Sequence, residues 1–497
     1  MSRPTTQPLP IGTPQSELTS LYLPFALGMG VNLASLSIGD PYRMALAGLA
    51  TALVATFIWL NKPMAWTIFV AVIAANPANP TTPVALNLFC AGIFLVLMRG
   101  GGWTALPRMA QIALGFVLLS MIVSIIASLW TDLTIPTIHT TDVSRPRPWM
   151  ITWAGGASLE ILTSQVVSIT NFLLGPFLFI PLIFSRLQKE HDPELLVKGF
   201  VVGLLLPTLL MFMLARGLGK PTMDANALSV GLLNVATFRL GKLDIQMIRT
   251  QSGIILASLI CASFAIAISR VRRTTRLLAG GCLVVSGYLL LVTGSVGSTI
   301  AGLAGITLIL ILGKRQFSTK RYFQVLFLGL GLGLATWTVL PESVQRYATT
   351  RYEVRMGKGG SATGDRAWRW RKSFNYLMEN PSGVGWSIYV EPLGIYPHND
   401  YLTYAIAFGV VCGLVYFCLP SGMIFAFATY DPGTLAPGKF AMVLAGAGVA
   451  TVVLLNSMSD HMTANRWYFN VIWSLIWYAY FASRASLGPL FAKKPGR

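Results

Sequence analysis

The sequence predicts an all-α, polytopic integral membrane protein with about fourteen transmembrane helices, and three observations carry that prediction. Of 497 residues, 54% are AVILMFWYC and only 11% are charged, against about 25% charged in a soluble domain. The mean hydropathy is +0.63. Apolar stretches that approach the roughly 20 residues needed to span a hydrocarbon core recur almost end to end. This excludes a soluble globular chain, a disordered chain and a disulfide scaffold. The net charge of +19 lies in loops between the apolar stretches. It therefore points to anionic lipid or a phosphate-bearing membrane substrate, and not to nucleic acid.

Residues 1–17 are rich in Pro, Thr and Gln and read as a cytoplasmic tail without the basic start of a signal peptide. Spans follow near 18–38, 43–60, 64–75, 83–98, 110–130, 161–185, 195–216, 251–269, 277–293, 297–312 and 323–340, which makes transmembrane helices 1–11 over 18–340. Those at 64–75 and 83–98 are short enough to be re-entrant. Three more, near 401–428, 439–456 and 467–483, fill 401–483, and 484–497 is a basic cytoplasmic tail. Arg270, Arg272, Arg273 and Arg276 crowd one short loop; Lys314, Arg315, Lys320 and Arg321 crowd another. A two-helix hairpin separates these loops, so the positive-inside rule puts both in the cytoplasm. External loops then fall near 131–160, 217–250 and 341–400. Two of these are basic on the side where Lys and Arg are usually scarce, with four such residues in 217–250 and eight in 341–400. Long loops translocate regardless of charge, but this concentration calls for an anionic partner there.

The five cysteines, Cys90, Cys261, Cys282, Cys412 and Cys418, lie in apolar segments without a CxxC and read as small buried hydrophobes. His139, His191, His398 and His461 form no HxxxH or HExxH pattern. Neither a metal nor a cofactor is expected.

The 341–400 loop holds the residues with chemistry. Arg366-Ala-Trp368-Arg369-Trp370-Arg371-Lys372 puts Arg366, Arg369 and Trp370 on one helical face, as in an amphipathic helix lying on the outer leaflet. Pro381-Ser-Gly383-Val-Gly385 ends that helix in a tight turn. Tyr396-Pro397-His398-Asn399-Asp400-Tyr401 then leads into an apolar helix, with Pro397 suited to a first turn. On that helix His398, Leu402, Ala405 and Gly409 share a face, and Gly409 and Gly413 form a small-xxx-small pair for close approach of another helix. This reading sets His398 at the outer end of the helix, where an imidazole can accept a proton from an attacking hydroxyl.

The run Gly364-Asp365-Arg366…Trp370, Asn380-Pro381…Gly383…Gly385, and His398-Asn399-Asp400-Tyr401-Leu402 resembles the O-antigen ligase and polymerase superfamily, the membrane glycosyltransferases of bacterial surface-polysaccharide assembly. The match is clear over about 364–413 and covers the first 200 residues only in hydropathy. The resemblance implies an undecaprenyl-diphosphate-linked glycan as donor and an acceptor glycan or glycolipid. It places the reaction on the periplasmic side of the inner membrane, without nucleotide or metal, with membrane lipids and other polysaccharide-assembly proteins as neighbours. It assigns His398 as base and Arg366 as a diphosphate-binding catalytic arginine. Arg369, Asn399 and Tyr401 are further substrate-binding candidates. Arg239-Leu-Gly-Lys-Leu243 fits the Arg-x3-Leu pattern of ligases, as does Arg273…Leu277 on the opposite side, and Arg249 is a second external candidate.

Two departures stand out. Ser295-Val296-Gly297 replaces the Ser-Arg-Gly of many relatives, and Gly409-Val-Val411 replaces the ligase pattern after the histidine. Together with the longer chain and spare spans they narrowly favour a polymerase over a ligase. A transporter or flippase for lipid-linked sugars is the rival of another class, but it calls for ionisable residues near the midplane, where these spans carry almost none.

Overall fold

The computed structural model describes residues 220–221, 235–240, 243–314, 364–384, 397–429, 435–459 and 466–483, with isolated positions elsewhere. The spans expected before residue 217 and near 323–340, the external loop 131–160 and both tails lie largely or wholly outside the described residues.

The described chain is mainly helical. It opens with a small antiparallel sheet, β1 (Lys220–Pro221), β2 (Val235–Leu240) and β3 (Leu243–Ile248), in the order β1-β2-β3. The sheet falls in the segment expected as the 217–250 loop and leaves the helical class of the bundle as expected. Val-Ala-Thr-Phe-Arg-Leu and Leu-Asp-Ile-Gln-Met-Ile are rich in β-branched and apolar residues at strand spacing, and Leu240 stands opposite Leu243. The Gly241-Lys242 pair between them has hairpin chemistry.

The sheet feeds directly into α1 (Arg249–Ile268), which is followed by α2 (Arg273–Thr293) and α3 (Val296–Gly313). Gly294, in the left-handed region at φ 60, closes α2 by donating to the Leu291 carbonyl, so α3 begins within three residues. The remaining elements are α4 (Gly364–Glu379), α5 (Asp400–Phe408), α6 (Val410–Thr429), α7 (Pro437–Ser459) and α8 (Arg466–Ser483). α2, α3, α6 and α7 are long and apolar enough to cross a membrane.

α7 is the axis of the bundle and packs against α1, α3, α6 and α8. Small residues make this possible. A methyl group at Gly305 of α3 would lie 2.6 Å from Cys261 Sγ of α1 and 2.8 Å from the Gly448 carbonyl of α7. Without a hydrophobic drive between helices in lipid, such backbone-to-backbone approach is what supplies van der Waals adhesion. Large apolar side chains such as Leu277, Leu303, Leu414 and Phe425 face outward. Cys261, Cys282 and Cys412 are buried, but Cys418 is exposed, which corrects its reading as a buried hydrophobe.

Candidate functional site

One end of the bundle gathers the starts of α1, α3 and α8 and the ends of α2 and α7. It is polar inside. Ser295 Oγ donates to Ser298 Oγ (3.0 Å), and Ser298 Oγ donates to Asn456 Oδ1 (3.2 Å). The Asn456 amide donates to the Val452 carbonyl, so this buried side chain is used on both sides. The start of α1 joins the same cluster, because a methyl at Gly253 would lie 2.6 Å from the Ser295 side chain. Arg249, four residues earlier, opens α1 at this end, and Arg239 stands in β2 opposite Asp244. None of this serine and asparagine chemistry was read from the sequence. Isolated Ser and Asn in apolar runs give no local signal of their distant partners.

The segment expected as one span over 401–428 is two helices. α5 ends at Phe408, Gly409 takes φ 96, and α6 begins at Val410. On one straight helix Tyr401 and Phe417 would be about 24 Å apart. Their ring centroids are instead 5.2 Å apart, Tyr401 and Tyr416 are 5.3 Å apart, and Tyr404 stacks on Tyr416 at 4.3 Å. α5 therefore folds back along α6. Gly413 faces α5 itself, where a methyl would meet the Ala405 side chain and the Tyr401 carbonyl, so it serves this fold-back. The small pair Gly409 and Gly413 does not form one face of a continuous helix.

This fold-back also reverses the direction expected for α5. Tyr416 bonds Ser457 of α7 (3.1 Å) and Phe427 lies beside Gly446, so α6 and α7 are antiparallel. Tyr401 at the start of α5 donates to the Leu454 carbonyl at 2.9 Å. Leu454 lies five residues before the end of α7 at Ser459, a depth of about 7 Å. His398 thus precedes the recessed end of α5, and Gly409 is the tip.

His398 is half-buried and holds φ 49, making it the one described non-glycine residue with positive φ. Such a conformation in a residue with a Cβ is uncommon and clusters at functional positions. The next residue secures it: Asn399 is the N-cap, its Oδ1 accepting from Leu402 N at 3.1 Å and its carbonyl accepting from Thr403 N and Thr403 Oγ1. Asp400, in the first turn, is fully buried beside Tyr401, Tyr404 and Tyr416. Asn399 and Tyr401 thus hold structural bonds in this arrangement.

α4 packs against α5. Its half-buried face carries Arg366, Arg369 and Trp370, while Arg371 on the opposite face is exposed. Arg369 sits over the Trp368 ring at 5.5 Å. On the inward side the Trp370 indole N–H and the Ser373 hydroxyl are buried without a hydrogen-bond partner among the described residues. Lys372 Nζ donates to the Leu393 carbonyl at 2.6 Å, which pins the chain leading to His398 onto α4.

After α4 the chain turns at Asn380–Gly383, with Pro381 at the second position and Gly383 N donating to the Asn380 carbonyl. This turn inserts into the helix break. In an unbroken helix Val410 N–H would donate to the Ile406 carbonyl. Here Val410 N donates to the Pro381 carbonyl (3.0 Å), and the Ile406 carbonyl accepts from Val384 N (2.9 Å). The turn thus bonds both members of the pair that the break separates.

An apolar bundle with four membrane-length helices and a buried serine–asparagine cluster at one end defines an integral membrane protein. The family model described as O-antigen ligase matches residues 281–417, from within α2 into α6, so this part of the chain is similar to that family. No curated protein matches the chain.

Proposed function

We propose that the protein is an inner-membrane glycosyltransferase that moves a glycan from an undecaprenyl-diphosphate-linked donor to a sugar hydroxyl on the periplasmic side. The observation that carries this reading is His398, held at positive φ at the recessed start of α5 against the arginine-bearing helix α4. In the reaction the acceptor hydroxyl oxygen forms a bond to the donor's anomeric carbon. The bond from that carbon to the diphosphate oxygen breaks, and its electron pair leaves with the lipid diphosphate. His398 takes the proton from the acceptor hydroxyl. Arg366, with Arg369, Arg249 and Arg239, offsets charge on the departing diphosphate in place of a metal ion, because guanidinium forks match phosphate oxygens. Asn399 and Tyr401 contribute through the helix start that they hold beside the substrate.

The sequence narrowly favours a polymerase, which adds repeat units to a growing chain. Transfer to lipid A-core is the second reading, favoured by the ligase description of the matched family. The purified protein in liposomes, given a lipid-linked repeat unit with or without lipid A-core, tests both. Longer glycans on the lipid carrier indicate a polymerase, and glycan on lipid A-core indicates a ligase. Movement of the donor between leaflets with no new glycosidic bond would sink the enzyme reading. A cysteine replacing Ser361 is expected to label with an impermeant thiol reagent in spheroplasts, and one replacing Gln316 is not. The reverse pattern would invert the orientation.

A further inference from the structure

We infer that the Asn380–Gly383 turn is a positioning clasp. Seated in the break at Gly409, it sets α4 and its arginines against the start of α5 and His398, which makes Gly383 and Gly409 positioning residues for transfer. The inference rests on the reading of Arg366 and His398 given above.

The geometry is specific on both sides of the contact. Gly383 takes φ 84, and a methyl there would lie 2.5 Å from Gly409 N, 2.8 Å from the Phe408 carbonyl carbon and 2.9 Å from the Ala407 carbonyl oxygen. Gly409 takes φ 96, and a methyl there would lie 3.0 Å from the Ser382 carbonyl oxygen. Both positions combine left-handed backbone with backbone-to-backbone contact, so no other residue fits without displacing the turn. The two exchanged hydrogen bonds tie the turn to Ile406 on one helix and Val410 on the other. α4 runs into this turn without slack: Asn380 N and Asn380 Nδ2 both bond the Tyr376 carbonyl at the end of the helix. A movement of the turn is therefore a movement of α4. Lys372, bonded to the Leu393 carbonyl, is a second tether between the same parts.

A tighter fold is not the main use of such a clasp. Arg366 and Arg369, which would hold a donor diphosphate, lie on α4, whereas His398, which would accept the acceptor proton, lies just before α5. Transfer needs them in one register, and a displacement of about 1 Å in such a pair costs on the order of 100-fold in rate. Loosening the clasp leaves each half intact but misaligns them.

The test uses the full-length protein in detergent and in liposomes. Gly383→Ala and Gly409→Ala are expected to lower kcat roughly 10- to 100-fold while the donor KM stays within about twofold. Spin labels on the exposed positions Phe374 of α4 and Leu414 of α6 are expected to show a broadened distance distribution in both variants. Gly422→Ala, on α6 with open space around it, is expected to change neither. Wild-type kcat with an unchanged distance distribution would overturn the clasp, and so would parallel loss of donor binding and kcat. Should Gly409→Ala fail to assemble, Gly383→Ala and Val384→Pro, which deletes the N–H that Ile406 accepts, carry the same comparison. An inactive His398→Ala beside fully active glycine variants defeats the clasp and leaves the transferase reading standing. An active His398→Ala defeats the reading itself, and the spin-label distances still decide whether the turn holds α4.

Discussion

At mid-bundle, α7 meets α1 and α3 through Gly448, Gly305 and Cys261, with a methyl at Gly448 placed 2.5 Å from Ile309 Cδ1. At the polar end the same helices meet through Ser298 and Asn456, and α5 and α6 add Tyr401 to Leu454 and Tyr416 to Ser457. The first region is held by shape, which is short-ranged, additive and tolerant of any apolar chain that fits. The second is held by directional bonds between residues far apart in sequence, and it includes a histidine in an uncommon conformation. The chemistry proposed above belongs to the second region, because proton acceptance and anion binding need fixed directions and packing alone does not supply them.

Breaking the comparison at its sharpest point means removing the imidazole. His398→Ala is expected to lower product formation by about 10²–10⁴-fold with unchanged expression and thermal stability. Near-wild-type product from a normally folded variant would remove His398 from the mechanism. Arg366→Lys comes next: it keeps the charge and loses the bidentate fork, so turnover should fall about tenfold or more. Arg371→Gln on the exposed face of the same helix is its contrast and should stay near wild type. Full activity in Arg366→Gln beside an inactive Arg371→Gln would show the alignment of α4 to be wrong.

The mid-bundle gives the opposite signature. Gly448→Leu forces a side chain into Ile309 and Cys261, and overpacking of this kind costs about 1–3 kcal/mol. It should lower the midpoint of thermal unfolding in detergent while turnover per folded molecule stays unchanged. A selective loss of turnover at full stability would mean that the middle is not mere scaffold. A smaller loss of stability is expected at the boundary. Asn456→Ala removes the acceptor of Ser298 and leaves a buried hydroxyl short of a partner, worth about 1 kcal/mol. A modest drop in turnover should accompany it, placing this residue between the two regions.

The positions of α3 and α7 were legible from hydropathy, because burial in lipid selects apolar residues one by one and leaves a local record. The site was legible in part. The types and order of Arg366, Trp370, Pro381, His398 and Asn399 pointed to a helix, a turn and a second helix, and the described residues contain each of these, with His398 just before the second helix instead of on its face. The hairpin β2–β3 also left a trace in its alternating residues and in Gly241-Lys242, which the basic character of that loop overshadowed.

Local pattern could not show that α5 and α6 are separate. Leu402 to Thr429 is apolar throughout apart from a few hydroxyls, and spaced glycines such as Gly409, Gly413 and Gly422 are compatible with a continuous helix. The break exists because a turn from elsewhere in the chain bonds Ile406 and Val410 in place of their bond to each other, and because Gly409 alone there can take φ 96. By itself the sequence determined an apolar helical chain with a basic, aromatic, histidine-bearing segment, since those properties belong to single residues and their nearest neighbours. Tertiary structure alone decided the depth of His398, the reversal of α5 and the alignment of α4. Each of these depends on backbone groups distant in sequence whose hydrogen bonds can be met only when both segments are in place.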